Sequence, residues 1–171
     1  INNHDYFFKD SSDYGGINEP SLSNGAAYAD LDNDGDLDLI VNNINRKSFV
    51  FINNTIQKTQ PVQSHFLKLM LKGNDDNKHG FGAKVCLYSN NKMQMQEQYP
   101  VRGYYSSVDQ DLVFGLGAAT TVDSVITIWP DGRKTVRTNI AADTTLVLTQ
   151  SDAAFISDAT SVEPLYLFTD I

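Results

Sequence analysis

The apolar residues of this chain are gathered into runs too short for helices and bounded by turn formers, which restricts the fold to strands and loops. Tyr6-Phe7-Phe8, Leu39-Ile40-Val41, Phe49-Val50-Phe51-Ile52, Phe66-Leu67-Lys68-Leu69-Met70-Leu71 and Val125-Ile126-Thr127-Ile128-Trp129 are β-branched or aromatic, the types that fit a pleated, half-buried surface. Gly, Asn and Asp stand between them, and no window of helical length carries an apolar stripe at three-to-four spacing. The expectation is an all-β chain. With 171 residues, 41% of them hydrophobic, there is material for one ordinary domain or two small ones.

A polar stretch with a proline, Asn53 to Gln63, separates two apolar regions and reads as a domain seam. Beyond it, turn signals at Gly73-Asn74-Asp75-Asp76, Asn90-Asn91 and Asp131-Gly132 punctuate short strands as far as Leu148, the spacing of a sandwich or small barrel. Asp131-Gly132 is the clearest hairpin turn. The segment after Gln150 reads as a linker, and Leu165-Tyr166-Leu167-Phe168 reads as the first strand of a further element. The single cysteine, Cys86, lies in an alternating strand and reads as a buried structural thiol. Thirteen basic against twenty-one acidic residues give a net charge of −8, which argues against nucleic acid or an anionic membrane as the main partner. No apolar run reaches the length of a transmembrane span.

Five of the acidic residues fall within Asp30-Leu31-Asp32-Asn33-Asp34-Gly35-Asp36-Leu37-Asp38. Carboxylates on alternate positions with Gly at the sixth are the pattern that folds hard oxygen ligands around a calcium ion, which takes about six to eight of them. Asp30, Asp32, Asp34 and Asp38 are expected as side-chain ligands and Asp36 mainly through its carbonyl. Zinc would ask for Cys or His, and magnesium for fewer protein ligands in tighter geometry. Unlike an EF-hand, the loop has Val41 at position 12 and is flanked by strands. The role expected for calcium is to pin the turn, because metal-binding energy then becomes folding energy.

Other constellations carry less. Gly80-x-Gly82 and Gly115-x-Gly117 open no helix, so they read as bends and left-handed turns rather than phosphate cradles. His4, His65 and His79 are scattered and read as surface or turn residues. Ser106-Ser107 with Asp109 lacks a nucleophile elbow or adjacent base. No enzyme is expected; the alternative is a glycan hydrolase whose catalytic groups converge only in the fold. Tyr99, Arg102, Tyr104 and Tyr105 form the candidate ligand face for a protein or carbohydrate, since aromatic and Arg side chains are the usual anchors of such surfaces. Trp129 reads as core.

Two segments resemble a known pairing in bacterial surface proteins. Ser23 to Leu39 resembles the calcium loop of an FG-GAP/VCBS propeller blade. Gly80-Phe81-Gly82-Ala83-Lys84-Val85, Arg102-Gly103-Tyr104, Phe114-Gly115-Leu116-Gly117 and Trp129-Pro130-Asp131-Gly132 resemble, in order, the ASPIC/UnbV pattern. The resemblance implies a propeller-blade-like segment over 1–58, a β-sandwich-like domain over 64–150, and a linker plus the start of a following segment over 151–171. It also implies an extracellular or cell-surface setting, with adhesion or glycan-related roles. A propeller needs about four to eight blades, so further blades of a longer parent protein become expected partners.

Overall fold

The computed structural model describes residues 8–10, 13, 16–55 and 64–156. Ten strands run through them in three sheets: β1 (Ser23–Ala29), β2 (Asp38–Asn43), β3 (Phe49–Phe51), β4 (His65–Lys72), β5 (Lys84–Ser89), β6 (Lys92–Glu97), β7 (Leu112–Gly117), β8 (Thr121–Ile128), β9 (Lys134–Ala141) and β10 (Thr144–Thr149). The chain is all-β, as its short apolar runs require.

β1, β2 and β3 form an antiparallel meander. The acidic loop is the connection between β1 and β2, so its ends are held by the pairing of Ala29 with Asp38. The remaining strands make two sheets in the orders β10-β4-β7 and β6-β5-β8-β9. Alternation along the strands sends Leu67, Leu69 and Leu71 of β4, Val85 and Leu87 of β5, and Leu112 and Phe114 of β7 into one shared core with Val122, Val125, Trp129 and Leu148. Trp129 is buried as expected, and its indole donates to Thr135 Oγ1 at 2.8 Å.

The turns follow their residues. Asn90 and Asn91 both take positive φ, 50° and 58°, which is the two-residue hairpin geometry that asparagine tolerates. Gly132, at φ 83°, closes the turn between β8 and β9, where its amide donates to the Trp129 carbonyl. A register shift on β4 between His65 and Phe66, which pair with Gly117 and Gly115, places a bulge at the second glycine pair.

Several expectations change. Cys86 is half-buried rather than fully interior, because β5 turns it away from the core that Val85 and Leu87 enter. His65 is no simple surface residue: it stands in β4 with Nδ1 2.7 Å from Asp143 Oδ2. The segment after Gln150 begins as part of the sandwich. A 3-10 turn spans Gln150–Asp152, Ala153 joins the core, and Ala154 exchanges two backbone hydrogen bonds with Lys134, at 2.8 and 3.0 Å. Tyr6-Phe7 and Leu165-Tyr166-Leu167-Phe168 lie outside the described residues. Among the described residues no helix is long and apolar enough to cross a membrane.

Candidate functional site

The Asp30–Asp38 loop turns back on itself through Asn33 at φ 59° and Gly35 at φ 95°, so two consecutive reversals bring alternate carboxylates to one side. A carboxylate oxygen from each of Asp30, Asp32 and Asp34 lies within 4.8 Å of the others. The backbone helps hold them: Asp34 N donates to Asp30 Oδ1 at 3.1 Å and Asp36 N to Asp34 Oδ1 at 3.0 Å. Gly35 is needed for a second reason, since a Cβ there would fall 2.0 Å from Phe66 Cε1 of β4. The loop therefore rests directly on the sandwich.

The geometry divides the five aspartates. Asp38 is 1% exposed, and its carboxylate is engaged by amides: one oxygen accepts from Leu31 N and the other from Asn53 N, both at 2.8 Å. Its carboxylate ties the loop to the end of the meander, and charge-assisted bonds of this kind are the strong ones. Asp36 is buried.

Sequence reasoning missed the basic partner. Lys68 of β4 places Nζ 2.5 Å from Asp30 Oδ2, with side chains only 12% and 1% exposed. Alternating burial on β4 gave no sign of it, since Lys68 reads as the outward residue between Leu67 and Leu69, and outward here means toward the loop. Asp111, immediately before β7, completes the surroundings. Burial first, then the neighbouring charges of Asp109 and Asp30, push its carboxyl above the usual range, against the opposing pull of Lys68.

The expected ligand face is split. Tyr104 and Tyr105 are 65% and 92% exposed, with ring centroids 4.7 Å apart in an edge-to-face pair, and they border a trough against β1 and β2. Tyr99 and Arg102 line a separate recess with Tyr28, Leu37 and Asp109, where Arg102 donates to the Glu97 carbonyl at 2.9 Å. Ser106 Oγ accepts from Ala26 N at 3.1 Å and donates to the Tyr104 carbonyl at 2.7 Å, so it serves as a tie between the meander and the sandwich. His65 and Asp143 likewise join β4 to the β9–β10 turn, since Phe66 N also donates to Asp143.

Comparison with curated proteins gives no match. Residues 73–155, from the turn after β4 through the bridge at Ala154, match the family model described as ASPIC and UnbV, and the larger part of the sandwich is similar to that family.

Proposed function

We propose that the chain is a calcium-stabilised, non-enzymatic binding or scaffold module, part of a longer protein that works outside the cell or on its surface. The observation that carries the metal reading is the convergence of Asp30, Asp32 and Asp34 within 4.8 Å on a loop held at both ends by a strand pair. Three carboxylates and the Asp36 carbonyl are hard oxygen donors, and no thiol or imidazole belongs to the group, which favours calcium over zinc. A divalent ion would relieve the repulsion among the three charges and displace the Lys68 ammonium from Asp30. The N-terminal meander is read as a blade of FG-GAP/VCBS type, and the surface setting follows from what the ASPIC/UnbV resemblance implies.

Thermal melting of the full chain in calcium, magnesium or chelator tests the reading. Calcium at a hundredfold excess over its dissociation constant should stabilise by about 2.7 kcal/mol, magnesium should substitute poorly, and Asp34→Ala should abolish the response. A melting curve indifferent to calcium would reduce the loop to an acidic turn.

A further inference from the structure

We infer that the trough between the β1–β2 ribbon and the Tyr104–Ser107 loop binds a neutral saccharide; this rests on the binding-module reading and names its ligand class. The floor is one face of the ribbon. Gly25 pairs with Asn42 and Ala27 with Ile40, and residues two apart share a face, so two minimal side chains leave space there. The wall is Tyr104, Tyr105, Ser106 and Ser107, and the open trough has a volume of about 560 Å³, within the range of small-ligand sites, roughly 300–1,000 Å³. Gly25 allows the wall to stand this close, since a Cβ there would meet Ser106 Oγ at 3.2 Å.

The wall is held in a costly form. Arg102 N donates to the Ser106 carbonyl across a tight loop in which Gly103 and Tyr105 have φ of 77° and 47°. A bulky aromatic at positive φ costs about 1–3 kcal/mol, and here it buys no burial, because the Tyr105 ring is left in solvent.

The lining chooses the occupant. It holds no carboxylate, ammonium or guanidinium, although the chain carries a net charge of −8. An anionic or cationic ligand therefore finds no counter-charge in it. What it offers is two phenol rings, the Ser107 hydroxyl and the amides of Asn24 and Asn42, which are pre-oriented by Asn42 Nδ2 donating to Asn24 Oδ1 at 3.0 Å and Ser48 Oγ donating to Asn42 Oδ1 at 3.3 Å. A pyranose has the matching surface, with an apolar C–H face for an aromatic ring and a rim of hydroxyls for amide and hydroxyl partners. Addition of a peptide strand to β1 is disfavoured, since Ala26 N and the Tyr28 carbonyl on its outer edge already pair with Ser106 Oγ and Asp109 N.

Affinity electrophoresis of the full chain, with calcium present, through gels containing β-glucan, galactomannan or xylan provides the test, with polygalacturonate as the charged comparison. At least one neutral polysaccharide should retard the chain. Tyr105→Ala and Tyr104→Ala should each weaken retardation about tenfold, the equivalent of 1.4 kcal/mol, while Tyr88→Ala, outside the trough, should leave it unchanged. The inference is overturned by no retardation in any neutral gel, by retardation only in polygalacturonate, or by retardation that survives both substitutions in the trough. Self-association that Tyr105→Ala abolishes would also overturn it, giving the trough to a second copy. None of these outcomes alters the melting response to calcium, so the metal reading fails or stands separately.

Discussion

Asp34 and Asp38 lie four residues apart in one loop, and replacing them should separate metal binding from loop anchoring. Asp34→Ala removes one of three converging oxygens, and in chelator it should cost under about 1 kcal/mol, since the amide it leaves, Asp36 N, loses a single acceptor. Asp38→Ala leaves Leu31 N and Asn53 N without their acceptor at a site 1% exposed, so it should cost about 2–4 kcal/mol with or without calcium. Urea denaturation of both variants in calcium and in chelator checks the split. The motif spacing put Asp38 in one class with Asp30, Asp32 and Asp34; its amide partners are visible only in the fold, because one of them, Asn53 N, lies beyond the next two strands. Asp131 offers a pH readout of the same kind. The side-chain hydrogen bond from Arg133 holds its carboxyl down at about 2, below the ordinary 3.8, with further bonds from Arg133 N and Gln150. A lowered folded-state value means that the stabilisation is fully present above pH 3.8 and is lost as pH falls through about 2. Asp131→Asn should therefore flatten the fall in melting temperature across that window.

At the scale of elements, hairpins were legible and long-range pairings were not. Asn90-Asn91 and Asp131-Gly132 announce their turns because few residues accept positive φ there. The parallel pairing of β10 with β4 joins strands far apart in sequence, and no local pattern encodes such a partner. β6 was hidden by its polarity, Lys92-Met93-Gln94-Met95-Gln96-Glu97. The fold explains that composition: Gln94 and Gln96 donate across the seam between sheets to the Gly115 and Val113 carbonyls of β7, both at 2.7 Å, satisfying the backbone of an edge strand. β4 carries the same lesson into the candidate site through Lys68. Lys68→Met leaves the buried Asp30 carboxylate without its ammonium, which costs about 3–5 kcal/mol for a broken buried pair. A divalent ion can replace that charge, so the variant should melt lower than the parent in chelator and gain more from calcium. Calcium titration followed by melting temperature reads both effects.

The three sheets raise the question of how much of the chain folds without the rest. The core of the sandwich draws on β4, β5, β7, β8 and β10 and on no residue of β1, β2 or β3, so residues 64–156 contain a closed hydrophobic interior. What joins the meander to it is mostly polar, Lys68 with Asp30, Ala26 N with Ser106 and Asp109 N with the Tyr28 carbonyl, together with the packing of Gly35 against the Phe66 ring. Residues 64–156 expressed alone should therefore unfold cooperatively. Ending that span at Leu148 should cost about 2–6 kcal/mol, taking four hydrogen bonds at roughly 0.5–1.5 kcal/mol each. Two are the bonds between Ala154 and Lys134, and two are the Gln150 bonds to Asn74 N at 3.0 Å and to Asp131 Oδ2 at 2.9 Å. Ala153 would leave the core with them. Urea denaturation of the two spans decides the matter. A lower midpoint for the shorter span, with the longer one matching the cooperative transition of the sandwich in the full chain, is the expected result, whereas equal midpoints would show that the residues following β10 contribute nothing to the fold.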